Sequence, residues 1–386
     1  MIGLPWNMGS EVKAVIWIDL DNDGDDDLFV QESSGKCGLL RNDGNMSFTG
    51  VTSASNLPQD LTEAAGVSFG DMDNDGDLDL HLCRYLEYPM TESPRDRNAL
   101  TRNDGNLAFT DVSASAGIDV HLRLSFQSLW WDLNEDGWQD LLVINDKSGA
   151  NALFQNQGNG TFLDVADSLN MNLVMDCMSA SLGDMNQDGR QDLFHTNTQF
   201  GGDGLGSKLL VQKQDQTFEE LSEPHGLDID RFCWGALWMD VDNDTDLDLF
   251  VAEHDFLSPY GENHLYENQG AQTSFSFEAF GTEIYDTDYL NAHVVAAADF
   301  DQNGWIDFVM HATWNGVTTY SVLHHIELES IPGDYDLNGH IGSSDILILL
   351  SEFSCLGSCA ADPNGDSSVG IPDLLMLLTF VGQSCL

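Results

Sequence analysis

"DLDNDGDDDL", residues 19–28, sets six aspartates around a single glycine. A stretch this acidic does not fold alone in water, because its carboxylates repel one another unless a cation offsets them. The same pattern returns as "DMDNDGDLDL" from Asp71, "DLNEDGWQDL" from Asp132, "DMNQDGRQDL" from Asp184, "DVDNDTDLDL" from Asp240 and "DFDQNGWIDF" from Asp299. Successive starts lie 52, 61, 52, 56 and 59 residues apart. An internal period of this size is the mark of a repeat architecture. Apolar runs such as "AVIWI" and "LFVQ" flank each copy, so each acidic loop joins two short strands of a hairpin.

Farther along each unit comes a second signal: "RNDGNMSF" at 41–48, "RNDGNLAF" at 102–109, "QNQGNGTF" at 155–162, "KQDQTF" at 213–218 and "ENQGAQTSF" at 267–275. Asn-Asp-Gly between apolar runs favours the tight turns that close a two-stranded hairpin. Each unit therefore reads as four strands per 50 to 60 residues, the spacing of a β-propeller blade. The expected fold class is all-β, a propeller of six visible blades, joined to a small α-helical calcium-binding module. Two residues before each first aspartate stand Trp17, Phe69, Trp130, Leu182, Trp238 and Ala297. These are expected to fill the gaps between neighbouring blades rather than to stack on a sugar.

The whole chain sets the limits. It has 386 residues and a formal charge of −52, with 42% hydrophobic residues. An acidic disordered tail lacks that apolar fraction, so a sizeable core is expected. The charge repels nucleic acid and anionic membrane surfaces. No run of 18 apolar residues occurs, so neither a transmembrane helix nor membrane insertion is expected. "MIGLPWNMGS" has neither the basic start nor the apolar stretch of a signal peptide. Cys37, Cys83, Cys177 and Cys233 are isolated and read as small buried hydrophobes, whereas Cys355, Cys359 and Cys385 cluster near the end and could include one disulfide.

The acidic loops share the pattern D-x-[DN]-x-[DN]-G-x-x-D, which offers side-chain oxygens at positions 1, 3, 5 and 9 and a backbone oxygen at 7. The candidate metal ligands are Asp19, Asp21, Asp23, Asp25 and Asp27; Asp71, Asp73, Asp75, Asp77 and Asp79; then Asp132, Asn134, Asp136, Trp138 and Asp140. They continue with Asp184, Asn186, Asp188, Arg190 and Asp192; Asp240, Asp242, Asp244, Asp246 and Asp248; and Asp299, Asp301, Asn303, Trp305 and Asp307. Hard anionic oxygens on a flexible loop suit Ca²⁺ better than Mg²⁺ or Zn²⁺, giving about six propeller sites. Thr245 replaces the turn glycine of the fifth loop and Asn303 an acidic ligand of the sixth, so these two are expected to bind more weakly. A ligating aspartate is a poor proton carrier, which argues against an acid–base pair in these loops.

These loops resemble the FG-GAP or VCBS repeats of integrin alpha-subunit propellers and of many secreted bacterial proteins, over about residues 1–325. The resemblance implies calcium at the positions just named and a propeller of usually seven blades. "IGLPWNMGSEVKAVIWIDL" aligns with the blade junction "AGIDVHLRLSFQSLWWDL". An upstream blade and a signal peptide are therefore expected ahead of this chain, with a complete six-bladed ring as the alternative.

The pattern changes after "ELESIPG", so residues 1–328 are assigned to the propeller, 329–333 to a linker and 334–386 to a separate module. Two twelve-residue loops, "DYDLNGHIGSSD" and "DPNGDSSVGIPD", each run into an apolar stretch with leucines at helical spacing. Their candidate ligands are Asp334, Asp336, Asn338 and Asp345, and Asp362, Asn364, Asp366 and Asp373, making up to two further calcium sites. The module resembles the dockerin type I domain, with Ser367 in place of a turn glycine and loop starts only 28 residues apart. Its three cysteines are similar to those of dockerin-like tails of marine bacterial secreted proteins, where a disulfide clamps the helix pair. The resemblance implies a cohesin or another cell-surface anchor as partner.

Three connections between second and third strands are enlarged, at 84–98, 196–208 and 253–263. Arg84, Arg95, Arg97, Arg123 and Arg231 fall in or beside the segments of that face, with Tyr85, Tyr88, Phe256 and Tyr260. Arginine beside aromatic rings suits a polyanionic glycan or an acidic surface protein, although pairing with local acids is the simpler reading. No hydrolase, P-loop or zinc motif is present. The expectation is a calcium-binding, extracellular or cell-surface protein of recognition or adhesion, without catalysis, whose propeller binds a glycan or surface protein while its tail anchors it. The alternative is an accessory part of an extracellular polysaccharide-degrading enzyme.

Overall fold

The structure is a computed structural model. It describes residues 12–323 apart from 33, 46, 58–63, 86–96, 119–123, 148, 199–205, 254–262, 280–291, 301–303 and 315–316, together with 343–351, 353, 369–371 and 374–375. Six antiparallel sheets follow one another along the chain, each with its strands in sequence order. The first holds β1 (Val12–Ile18), β2 (Asp27–Glu32), β3 (Cys37–Asn42) and β4 (Phe48–Gly50). The second holds β5 (Ala64–Gly70), β6 (Asp79–Arg84), β7 (Ala99–Asn103) and β8 (Phe109–Asp111); the third β9 (Leu124–Trp131), β10 (Asp140–Asp146), β11 (Ala152–Asn156) and β12 (Phe162–Asp164). The fourth holds β13 (Cys177–Gly183), β14 (Asp192–Asn197), β15 (Lys208–Gln212) and β16 (Phe218–Glu220); the fifth β17 (Cys233–Met239), β18 (Asp248–Glu253), β19 (His264–Asn268) and β20 (Phe277–Ala279). Three strands of the sixth are described, β21 (Ala292–Ala298), β22 (Asp307–Trp314) and β23 (Val317–Leu323).

This is the expected propeller. Successive sheets pack face to face on separate apolar cores, five of them between sheets among the described residues. The first strands of neighbouring sheets lie side by side, as β5 with β9, β13 with β17 and β17 with β21, so they are the inner strands. Second strands such as β2, β6 and β14 are buried along their whole length, which is why they read as continuous apolar runs rather than alternating ones. The four isolated cysteines are buried and unbridged, as expected.

The residues two before each loop do pack between blades, with one exception. Trp130 of the third blade lies on Gly70 of the second, where a Cβ would stand 2.5 Å from the indole. Trp238 of the fifth lies in the same way on Gly183 of the fourth, at 2.7 Å. Both indole N–H groups donate to a serine two residues before that glycine, to Ser68 Oγ at 3.1 Å and to the Ser181 carbonyl at 3.1 Å. Where the preceding blade carries a large residue instead, Ile18 or Trp131, the next one carries Phe69 or Leu182. Trp17 departs from the expectation: it is 54% exposed, as are its neighbour on the same face, Val15 (53%), and Phe300 of the last blade (48%).

In the tail, a single described helix, α1 (Ser343–Ser351), covers the apolar run after the first twelve-residue loop and contains Asp345. Asp334, Asp336, Asn338, Asp362, Asn364, Asp366, Asp373, Ser367, Cys355, Cys359 and Cys385 lie outside the described residues. So do Asp301 and Asn303 of the sixth propeller loop.

Candidate metal centres

All six acidic loops join a first strand to a second and so sit on one face of the propeller. Each is wound by its own carboxylates. The first aspartate accepts from the backbone N–H of position 6: Gly24 to Asp19 at 3.0 Å, Gly76 to Asp71 at 3.0 Å, Gly137 to Asp132 at 2.7 Å, Gly189 to Asp184 at 2.8 Å and Gly304 to Asp299 at 2.9 Å. Thr245 keeps this bond, donating to Asp240 at 3.1 Å, by holding a left-handed φ of 82° that glycine adopts without strain.

The ninth-position aspartate is fully buried and stitches the loop to the blade. Asp79 accepts from Met72 N–H at 2.7 Å with one oxygen and from Asn103 N–H on β7 at 2.7 Å with the other. Asp27, Asp140, Asp192 and Asp248 make the same two bonds in their blades. Burial raises these carboxyl groups far above the usual carboxylate range, Asp27 and Asp140 to about 6, Asp79 and Asp192 to about 7 and Asp248 to about 8.

In three loops the carboxylates converge. Asp19, Asp21 and Asp27, then Asp71, Asp73 and Asp79, then Asp240, Asp242 and Asp248 each bring one oxygen within 4.8 Å of the others. Four oxygens of the first two sets, Asp19 Oδ1, Asp21 Oδ1, Asp71 Oδ1 and Asp73 Oδ1, are buried without a hydrogen-bond partner. A buried carboxylate oxygen left in this state is costly unless a cation takes it. A hard divalent cation therefore fits these residues. Asp21, Asp73 and Asp242 are pushed upward by desolvation first and by the neighbouring carboxylates next, and the same cation would reverse both causes.

The other loops are drawn differently. In the third, Asn134 donates its amide to Asp136 at 2.9 Å; in the fourth, the Arg190 guanidinium bonds Asp188 directly. Both contacts occupy an oxygen expected for metal, and both loops carry asparagine at position 3, Asn134 and Asn186, where the converging three carry aspartate. The Thr245 loop is one of the converging ones. Of the sixth loop, Asp299, Trp305 and Asp307 are described, and Asp307 accepts from Phe300 N–H at 2.9 Å.

Position 4, which the metal pattern leaves open, links the loops. Asn22 Nδ2 donates to the Gly76 carbonyl of the next loop at 2.8 Å and to Asp77 at 2.8 Å. Asn74 reaches the Gly137 carbonyl at 2.8 Å, Gln187 that of Thr245 at 3.0 Å and Asn243 that of Gly304 at 3.1 Å. In the third loop Glu135 holds this position, a side chain without an N–H to give. All five residues sit at positive φ, which asparagine tolerates best.

Of the arginines singled out on the opposite face, Arg97 is half-buried. Arg84 is buried, Arg231 pairs with Glu253 at 3.2 Å, and Arg95 and Arg123 lie outside the described residues, as do Tyr88, Phe256 and Tyr260.

Sequential blades held by metal-type loops define a repeat propeller whose loops and blades form one framework. The chain belongs to the FG-GAP-like repeat family, whose profile matches residues 19–82, 132–195 and 240–310, more than half of the chain. Each match begins on the first aspartate of a loop and runs into the blade that follows. Mouse cartilage acidic protein 1 is 34% identical over 103 residues, 26% of this chain and 16% of that protein, so the match spans about a sixth of the relative's length. Among solved structures, BBS1N in complex with ARL6DN matches with 9% identity and a TM-score of 0.41, covering 83% of this chain and 94% of that one. An Aleuria aurantia lectin mutant in complex with Fucα1-6GlcNAc matches with 11% identity and a TM-score of 0.45, covering 81% of this chain and 94% of that one. No described helix is long and apolar enough to cross a membrane.

Proposed function

We propose that the protein is a calcium-loaded, extracellular recognition module without catalysis, in which metal stiffens the propeller from one face and a partner, glycan or surface protein, docks on the other. The observation that carries the reading is the set of buried, unpartnered aspartate oxygens in the first two loops. Calcium bound there would neutralise the converging carboxylates. Asp19, Asp21 and Asp27, Asp71, Asp73 and Asp79, and Asp240, Asp242 and Asp248 would hold it, while the ninth aspartate fastens each loop to its third strand. Extracellular calcium, near millimolar, suits such loops without tight individual sites.

The tail is proposed to dock or anchor the propeller through a dockerin-like module. Leu347, Leu350, Ile371 and Leu375 support this, since all four are exposed apolar side chains in or beside its helical segments. The test is a glycan-array and cell-surface binding screen of the whole chain in millimolar Ca²⁺ and again in chelator, alongside calorimetric calcium titration. Binding abolished by chelation is the expected result. Absence of calcium uptake by the folded protein would overturn the reading.

A further inference from the structure

Each inner strand is interrupted once, at one shared register. The pairing slips at Lys13 in β1, at Ala65 in β5, at Phe126 in β9, at Met178 and Ser179 in β13, at Trp234 in β17 and at His293 in β21. A β-bulge re-aims the side chain of its extra residue, and those of β1, β5, β9, β13 and β17 stand in register at one level of the propeller. The slips lie at the strand ends farthest from the acidic loops, hence at the mouth opposite the metal face.

Where these residues point is set by two rings. Phe126 belongs to the third blade and Trp234 to the fifth, yet their centroids lie 6.5 Å apart at 85°. Blades that are not neighbours meet only across the central axis. Tyr85 stacks on Phe126 at 4.4 Å and Phe232 on Trp234 at 5.9 Å, extending the row to four rings, none of them fully buried. Phe126 is fixed from behind, because its carbonyl lies 2.2 Å from where a Cβ on Gly66 would stand. The polar rim is internally matched: the Tyr85 hydroxyl donates to Asp146 at 2.8 Å, Lys147 donates to that hydroxyl at 2.7 Å, and Arg231 pairs with Glu253.

We propose that this aromatic mouth binds a basic peptide segment, with an arginine or lysine side chain laid against Phe126 and Trp234. The choice rests on charge. The chain carries −52, and six divalent cations on the far face would leave about three-quarters of it, a field that draws cationic partners and repels anionic ones. Among the described residues, the two cations beside these rings, Lys147 and Arg231, are already paired. The mouth itself contains the contact proposed, for Lys147 Nζ stands 5.3 Å from the Tyr85 ring centroid. The inference rests on the recognition reading above and narrows it to one site and one ligand class.

The test uses the full chain in millimolar Ca²⁺ and three fluorescent probes: an Arg-Gly heptapeptide, its Glu-Gly counterpart and a neutral oligosaccharide. The basic peptide is expected to bind, about tenfold more weakly to Trp234→Ala and to Phe126→Leu, and equally well to Trp17→Ala, which removes an exposed aromatic ring elsewhere. Unfolding midpoints of all variants confirm the fold, and the milder Phe126→Leu keeps the test open if Trp234→Ala does not fold. Equal affinity for wild type and both mouth variants would reduce the binding to general charge attraction and overturn the site. Preference for either other probe would overturn the ligand class. If the basic peptide is not bound while the glycan or cell-surface screen is positive, this inference falls and the recognition reading stands.

Discussion

The ninth aspartate of each loop has two duties that its place in a metal pattern does not reveal. Asp79 is both a member of a converging carboxylate set and the acceptor of two backbone N–H groups. Replacing it with asparagine turns an N–H toward a donor, so Asp79→Asn is expected to cost about 2 kcal/mol in urea unfolding even in chelator. Asp75→Asn, at an exposed ligand position, is expected to weaken calcium binding in titration calorimetry and to leave the apo-protein within about 0.5 kcal/mol of wild type.

The same burial sets a pH dependence. In chelator the folded chain holds protons on Asp79 and Asp192 up to about pH 7 and on Asp248 up to about pH 8, whereas the unfolded chain releases them near 3.8. A folded-state pKa raised in this way stabilises fully below the unfolded value, and the contribution is lost as pH rises through the folded one. Apo-protein is therefore expected to melt at a higher temperature at pH 5 than at pH 8. Saturating calcium should invert that order, because metal displaces the protons. A melting temperature of the apo-protein that rises between pH 5 and pH 8 would contradict the assignment.

At the level of elements, strands and loops were legible in the sequence because both are periodic: the acidic pattern fixes one hairpin and the Asn-Asp-Gly turn the next. The bulges were not. Lys13, Ala65, Phe126, Met178, Trp234 and His293 share no residue type, and a one-residue slip in a ladder leaves no composition behind. The links between loops were hidden for another reason, since position 4 is free in the metal pattern and asparagine there looks like ordinary turn chemistry. Asn74→Ala is expected to lower stability by about 1 kcal/mol and to reduce the cooperativity of calcium binding between the second and third loops, both measurable in one titration series. Glu135 already lacks this bond to the fourth loop, so Glu135→Ala should leave the coupling of the third and fourth loops unchanged.

For the whole molecule, the proposed function makes metal the tie that offsets part of the charge of −52. Chelation is expected to lower the melting temperature in calorimetry, and calcium to restore it where magnesium, which keeps its waters, does not. The fold class was readable from spacing alone. Which loops can gather three carboxylates is readable too, from aspartate or asparagine at position 3, whereas the Arg190 contact to Asp188 was not, because it is made only once the loop is closed.

The tryptophan-on-glycine seams between the second and third blades and between the fourth and fifth bear on how such a chain avoids confusing its own copies. Near-identical repeats invite out-of-order pairing during folding. Here a blade ending in Trp fits only a predecessor ending in Ser-x-Gly, and one ending in Phe or Leu tolerates a bulky predecessor, so adjacent copies are keyed rather than interchangeable. Gly70→Ala should spoil one key by about 1–3 kcal/mol, and a smaller residue at 130 should recover part of that loss. Shuffling whole blades of this protein, even with every acidic loop kept intact, would then yield chains that collapse without ordering.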